Sequence, residues 1–196
     1  KKYLFDLEKK GVKIVTTLWE NKFDRAKALS YFETLDSEEI IIKPNISASA
    51  DNTFRLNKNK LVSSFDKLEN IFADREFMVQ PFIKNIISEG EYSLFFFNGK
   101  LSHSVRKIPK ENDFRVQEEH GGDIQPITAP EKVVVVAESI IKQLSTTPLY
   151  LRVDLVRVEN DKFALMELEL IEPSLYLNKD KEAPLRFVKA FLEKMG

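Results

Sequence analysis

The chain has 196 residues, of which 43% are hydrophobic and 31% charged, so it can form one large domain or two small lobes with packed cores. Thirty basic and thirty-one acidic residues give a formal charge of −1. The net charge of the protein therefore does not favour binding to a nucleic acid or a membrane surface. The absence of cysteine excludes disulfides, thiolate metal sites and a cysteine nucleophile. With no long apolar stretch or signal peptide in view, we expect a cytoplasmic protein.

The first ten residues place apolar side chains on one side of a predicted helix, and Gly11 is a residue type that commonly ends one. A short strand is predicted over 12–16. The sequence opens without an initiator methionine, a leader or a helix-capping residue. We therefore interpret residues 1–17 as the remnant of a preceding N-terminal domain.

Helices and strands are interspersed in the next part of the chain. The pattern predicts helices over 21–35 and 60–72, and strands over 39–43 and 77–83. Pro81 interrupts the second of these strands, and the hairpin-rich half of the chain follows it. We accordingly place a change of lobe near Gln80 to Phe82.

A β-hairpin is predicted around Asn98-Gly99, because this dipeptide between two apolar runs is the strongest short signal for such a turn. A tight turn there would pair Glu91 with Arg106. Alternation would then put Lys107 on the other face of its strand.

The remaining segments complete an α+β chain with mainly antiparallel sheets. Residues 109–130 are polar and predict few regular elements, and Gly121-Gly122 within them fits either a plain turn or a close backbone approach to a ligand. Helices are predicted over 131–144 and 184–195.

A second hairpin, over residues 150–169, gathers carboxylates on one face. Its two alternating runs flank a polar turn and predict Asp154 opposite Glu167 and Arg152 opposite Glu169. Like charges that face each other destabilise a sheet unless a cation lies between them, and carboxylate oxygens at this spacing suit Mg²⁺. The hairpin alone fits equally well a solvated face that Arg152 and Arg157 balance.

Basic groups elsewhere can complement these carboxylates. Lys43 closes a predicted strand beside the small-residue loop Ser47–Thr53, whose N–H groups and hydroxyls can meet phosphate oxygens. The loop has no glycine and is not a Walker loop. A lone surface lysine or arginine is most often only solvated, and we interpret His103 and His120 as packing or surface residues.

In this order, the segments resemble an ATP-grasp domain and are most similar to glutathione-synthetase-like and RimK-like ligases. The resemblance covers nearly the whole chain. The matching segments are Ile40–Leu56, Phe77–Ile83, Ser88–Pro109, Phe114–Gly122, Leu149–Val156 and Leu165–Leu177.

The resemblance implies an α+β ATP-grasp fold of two lobes that sandwich the nucleotide. Residues 18–80 would form the small lobe and residues 81–196 the large lobe with the metal site. Asp154, Glu167 and Glu169 match the metal ligands. Relatives often have Asn in place of Glu169, so this chain would carry extra negative charge there.

The resemblance also implies nucleotide contacts. Lys43 would contact the α-phosphate and the adenine, and the loop with Ser47 and Thr53 would be a flap over the phosphates. The remaining matches are Gln80 and Phe82 at the inter-lobe hinge beside the adenine, Glu89 at the ribose hydroxyls, Lys107 at the phosphates, and Arg115 at the transferring phosphate or acyl phosphate.

The implied chemistry activates a carboxylate as an acyl phosphate, which an amine then attacks to form an amide. ATP and Mg²⁺ (or Mn²⁺) would be required, and the substrates would be a small carboxylic acid and an amine, with no nucleic-acid or membrane partner. The alternatives are an ATP-binding or regulatory module without ligase activity, and a phosphotransferase on the same fold. An unrelated α+β interaction domain is a further alternative. The oligomeric state stays open.

Overall fold

The structure is a computed structural model that describes residues 1–47 and 49–196, and these residues group into two compact units. The first contains Lys1–Lys2 and Val15–Lys84, and the second contains Tyr3–Ile14 and Asn85–Gly196. Each unit has its own antiparallel sheet. Among the described residues, no helix has the length and apolar character needed to cross a bilayer.

The helices are mostly short. They are α1 (Tyr3–Lys9), α2 (Arg25–Ala28), α3 (Ser30–Thr34), α4 (Lys58–Ser63), α5 (Phe65–Phe72), α6 (Asn85–Ser88), α7 (Glu131–Ile141) and α8 (Ala183–Met195). The helices predicted over 21–35 and 60–72 are each divided in two. At the second division, Ser64 leaves helical geometry with φ −104° and ψ 3°, so the chain changes direction between α4 and α5.

The strands form a four-stranded and a five-stranded sheet. They are β1 (Leu18–Glu20), β2 (Glu39–Pro44), β3 (Phe54–Asn57), β4 (Phe77–Pro81), β5 (Glu91–Phe97), β6 (Lys100–Ile108), β7 (Asp123–Ile127), β8 (Tyr150–Arg157) and β9 (Phe163–Glu169). The sheet orders are β1-β4-β2-β3 in the first unit and β7-β6-β5-β8-β9 in the second.

In the first unit, β2 buries Ile40 and Ile42 and alternates them with partly exposed neighbours. These isoleucines share a core with aromatic side chains, among which the Phe72 and Phe77 rings lie 4.7 Å apart. Strands β1 and β3 were not predicted. Each is only three or four residues long, and each pairs with a strand that is itself well defined by its sequence.

The second unit is built around β5, all of whose residues are buried. The strand predicted over 12–16 is wrong, since this stretch makes only an isolated bridge between Ile14 and Leu165. The polar segment 109–130 does contain one strand that was not predicted, β7, which pairs with the end of β6.

The two hairpins differ in how well their registers were predicted. The acidic hairpin has the predicted pairs Asp154–Glu167 and Arg152–Glu169, with a bulge beyond them towards the turn. The register predicted for the Asn98-Gly99 hairpin is wrong. A bulge between Phe95 and Phe96 shifts the pairing by one residue, so Glu91 lies opposite Lys107 instead of Arg106.

Candidate functional site

The acidic hairpin of the second unit brings three carboxylates together. Asp154 of β8 and Glu167 and Glu169 of β9 each offer an oxygen that lies within 4.8 Å of the others. Asp154 is 1% exposed, whereas the two glutamates are partly exposed. The cluster therefore has one carboxylate at its floor and two at its rim, because β8 is an inner strand of the sheet and β9 is an edge strand.

Asp154 is held by donors from three neighbouring positions. Ser93 Oγ donates to it at 2.5 Å, Arg152 Nε at 2.9 Å and Lys107 Nζ at 3.3 Å. Burial alone would raise the pKa of Asp154, but the charges of Arg152 and Lys107 and these hydrogen bonds hold it at about 2. Asp154 is thus a fixed anion throughout the neutral pH range.

Glu169 has the opposite balance. Burial raises the pKa of its carboxyl to about 7, against the pull of Arg152 and with a further push from Glu167 and Asp154. Arg152 Nη2 lies 2.5 Å from Glu169 and 2.9 Å from Asp154, so its guanidinium bridges the two acids. The pair that was predicted from the alternation is therefore formed, and Arg152 neutralises one side of the cluster.

Lys107 is a buried cation between two acids, because the shifted register turns it towards them. Its ammonium lies 3.1 Å from Glu91 and 3.3 Å from Asp154. Burial would lower the pKa of Lys107, but the charges of Asp154 and Glu91 outweigh it and raise the pKa. Lys107 thus remains an ammonium beside the carboxylate cluster, while Arg106 on the other face contacts Gln125.

The donor set suits a hard divalent cation. Three carboxylates supply oxygen ligands only, and Mg²⁺ is typically held by one or two carboxylates together with waters and phosphate oxygens. Among the described residues, this is the one group of three or more acidic or histidine side chains close enough to share an ion. The residues present therefore fit a magnesium site.

Arg115 lies in the loop that follows β6 and is engaged locally. Its guanidinium binds Asp113 through Nη2 at 2.7 Å and Nε at 3.1 Å, and Asp113 also accepts the backbone N–H of Arg115. Within the described residues, no hydrogen bond or ion pair joins Arg115 to the carboxylate cluster. Its contact with a phosphate stays a prediction.

The Gly121-Gly122 pair has a structural explanation within this loop. Gly121 has φ +81° and ends a short 3₁₀ turn. A Cβ at Gly122 would lie 2.2 Å from the Val116 carbonyl oxygen. The close approach that the sequence left open is thus made by the protein's own backbone.

Glu89 also lies in the second unit. Arg157 donates to its carboxylate from Nε at 2.7 Å and from Nη2 at 3.0 Å, and Tyr92 donates at 2.5 Å. The Arg157 guanidinium holds the pKa of Glu89 below its ordinary value. Glu89 is therefore a fixed hydrogen-bond acceptor, and its contact with a ribose stays a prediction.

The first unit carries the other predicted nucleotide contacts. Lys43 stands near the end of β2 opposite Met78 of β4. Gln80 is buried in β4 and donates from Nε2 to Thr17 Oγ1 at 2.9 Å. The Phe82 ring is covered by the Arg55 guanidinium at 3.7 Å. Because β2 and β4 are antiparallel, Lys43 lies at one end of this strand pair, and Gln80 and Phe82 lie at the other. Their contacts with a nucleotide stay predictions.

Within the predicted flap, residues 49–52 form turns ahead of β3. Thr53 donates its N–H to the Ala50 carbonyl, and Ser49, Ala50 and Asn52 have φ values of 48°, 54° and 52°. Ala48 lies outside the described residues, whereas Ser47 is within them and partly exposed. The loop thus uses left-handed backbone without glycine, a conformation that costs about 1 kcal/mol or more per residue.

Two residues at the cluster were not singled out from the sequence. Ser93 lies directly opposite Asp154 in the β5–β8 pairing, so the register of the sheet would have indicated it. Tyr3 contacts β9 through a hydrogen bond to Leu168 that spans 165 positions. No local pattern signals a contact at that separation.

The sequence is similar to those of known proteins. Residues 16–174 match the family model described as the ATP-grasp domain of prokaryotic glutathione synthetase. Over 210 aligned residues the chain is 27% identical to the cycloserine biosynthesis protein DcsG of Streptomyces lavendulae, covering 100% of this chain and 69% of that protein.

Solved structures show the same fold. The crystal structure of D-cycloserine synthetase DcsG matches 100% of this chain and 70% of its own with a TM-score of 0.85 and 25% identity. D-alanine–D-alanine ligase from Bacillus anthracis matches 98% of this chain and 66% of its own with a TM-score of 0.69 and 18% identity. The predicted α+β ATP-grasp fold is confirmed.

Proposed function

This chain belongs to the family of ATP-grasp domains of prokaryotic glutathione synthetase, and from that premise we propose that its carboxylate cluster binds Mg²⁺ for the ATP-dependent joining of a carboxylic acid to an amine. The chain is an ATP-grasp ligase domain. The observation that carries the proposal is the convergence of Asp154, Glu167 and Glu169 within 4.8 Å.

In this reaction the γ-phosphoryl group of ATP moves to a substrate carboxylate and ADP is released. The amine then attacks the acyl phosphate, loses a proton and forms the amide as inorganic phosphate leaves. Asp154, Glu167 and Glu169 would hold Mg²⁺, and the ion would supply positive charge to offset that of the phosphates. The chain's own residues position and neutralise the reacting groups. Lys107 and Arg152 are the buried cations nearest to the cluster, and they offset its negative charge when no other cation is present.

Glu169 makes the charge of the carboxylate cluster depend on pH near neutrality. Because the pKa of its carboxyl is about 7, a fraction of the molecules carries a proton there at neutral pH. Glu169 would have to be ionised to act as a ligand to a divalent cation, so it would hold the ion less well in molecules that carry this proton.

We assign the remaining roles from the resemblance. Lys43 contacts the nucleotide's α-phosphate, and Gln80 and Phe82 meet the adenine. Glu89 accepts from the ribose, and Arg115 holds the transferring phosphate once it exchanges Asp113 for that anion. The loop that contains Ser47 and Thr53 covers the phosphates. We likewise retain 18–80 and 81–196 as the small and large lobes.

The proposed substrates are a small carboxylic acid and an amine, and amino acids are the first compounds to test. The names of two similar proteins refer to D-alanine and to cycloserine, both small amino-acid compounds. The near-neutral charge gives no support for a nucleic-acid partner. We retain the cytoplasm as the proposed compartment because the chain has no cysteine.

The test combines product analysis with a matched pair of variants. ATP hydrolysis to ADP would be measured with a panel of amino and carboxylic acids, and amide products would be identified by mass spectrometry. A stable phosphorylated product would indicate a phosphotransferase, and nucleotide binding without turnover would indicate a binding module.

Asp154→Asn is expected to abolish metal-dependent turnover while the thermal unfolding curve stays cooperative. Glu159→Gln makes a similar change at an exposed residue in the turn of the same hairpin and should leave turnover unchanged. Full activity in Asp154→Asn would refute the metal site.

A further inference from the structure

Strand β9 supplies two of the three carboxylates, although it lies at the edge of the five-stranded sheet. An edge strand has backbone N–H and C=O groups on its outer side with no neighbouring strand to pair with. Such a strand is less firmly held than a central one. Something other than the sheet must therefore fix the spacing of Glu167 and Glu169.

The beginning of the chain occupies this outer edge. Leu165 donates its N–H to the Lys13 carbonyl at 2.9 Å, next to the parallel bridge between Ile14 and Leu165. Leu168 donates its N–H to the Tyr3 hydroxyl oxygen at 3.0 Å. Leu168 lies between the two glutamates, and its own side chain is buried on the opposite face. Tyr3 thus fixes the backbone unit from which both glutamates project.

Tyr3 is itself rigidly supported. It stands at the first position of α1, which buries Leu4 and Leu7. Its hydroxyl accepts the Leu168 N–H and keeps its own proton, which is available for donation. Burial raises the pKa of the Tyr3 phenol, and the negative charges of Glu167, Asp154 and Glu169 raise it further, so the phenol lies within electrostatic reach of the whole cluster.

We propose that Tyr3 is a positioning residue for the metal site, and that its hydroxyl holds the Glu167–Glu169 segment in the conformation that directs both carboxylates to one ion. This inference rests on the proposed function, since it requires the two glutamates to be ligands. Loss of a hydrogen-bonding group that orients metal ligands typically lowers metal affinity or activity about 10- to 100-fold.

The test is Tyr3→Phe, which removes the hydroxyl and keeps the ring. In the metal-free protein, NMR-detected exchange of the Leu168 amide should become about fivefold faster, which corresponds to the loss of one typical hydrogen bond. The Leu165 amide should keep its protection, because its bond to Lys13 is untouched. With ADP present, titration of Mn²⁺ followed by electron paramagnetic resonance should show a dissociation constant about tenfold higher.

Tyr31→Phe is the matched control. It removes a buried hydroxyl that has no hydrogen-bond partner among the described residues and lies in the other compact unit. It should change neither amide exchange at Leu168 nor Mn²⁺ affinity. Asp154→Asn reports on the proposed function separately, since it should abolish Mn²⁺ binding.

The outcomes are distinguishable. Loss of Mn²⁺ binding in Asp154→Asn with unchanged Leu168 exchange and Mn²⁺ affinity in Tyr3→Phe overturns the role of Tyr3 and leaves the metal site standing. Faster exchange of both Leu165 and Leu168 means that Tyr3→Phe undocks the whole segment, which also overturns a positioning role. Full Mn²⁺ binding in Asp154→Asn refutes the metal site and the inference together.

Discussion

Replacing Lys107 with methionine tests both the buried charge network and the register that creates it. The Lys107 side chain is 5% exposed, and its ammonium lies 3.1 Å from Glu91 and 3.3 Å from Asp154. Asp154 would keep Arg152 as a partner, but Glu91 would lose the cation that it contacts. Removal of one member of a buried ion pair typically costs about 3–5 kcal/mol, which is a large part of the stability of a small domain.

The effect should be specific to this pair. Lys107→Met is expected to lower the free energy of unfolding of the second unit by about 3–5 kcal/mol. Adding Glu91→Gln removes the unpaired acid, so a double-mutant cycle should give a coupling of about 1–3 kcal/mol. Arg106→Met is the control, since Arg106 lies one position earlier on the opposite face and contacts Gln125. It should cost about 1 kcal/mol or less.

The measurement must report on the second unit. Trp19 is the only tryptophan in the sequence and belongs to the first unit, so its fluorescence would follow the other sheet. Native-state exchange of amides in β5 reports on the second unit instead. Equal losses in Arg106→Met and Lys107→Met, or a coupling of zero, would refute the network and the shifted register.

Three further predictions concern the nucleotide, the transferred phosphate and acid stability. Lys43→Ala should weaken ATP binding in calorimetry, and unchanged affinity would remove Lys43 from the site. Arg115→Ala should lower the turnover number by roughly 10³-fold or more and change nucleotide affinity much less; equal effects on both would contradict its role in phosphoryl transfer. Burial lowers the pKa of His103, which stacks on Phe95 at 4.4 Å. A lowered folded-state pKa gives stability that is present above pH 6.5 and lost as the pH falls through the folded value. Urea midpoints at several pH values should show this loss in the wild type and a smaller loss in His103→Gln.

The sequence by itself determined the fold and the acidic hairpin. Alternation in β8 and β9 is local, and a polar turn sets which residues face each other. The pairing of Leu155 with Leu165 beside the turn would by itself continue to Asp154 opposite Met166, and the bulge between Asp154 and Leu155 brings Glu167 opposite Asp154 instead. The ordered segments of the family resemblance identified the ATP-grasp fold because they recur as a set along most of the chain.

The tertiary structure decided which cationic side chains and which hydrogen-bonding partners surround that hairpin. A bulge after Phe95, which no alternation signals, turned Lys107 towards Glu91 and Asp154 and left Arg106 outside. Strands β1 and β3 are too short to be recognised alone, and β7 lies in a mostly polar segment and contains Pro126. Each forms because a neighbouring strand is already in place. Tyr3 reaches β9 across 165 positions. Contacts of that range depend on how the chain folds back on itself, and a local sequence pattern carries no record of them.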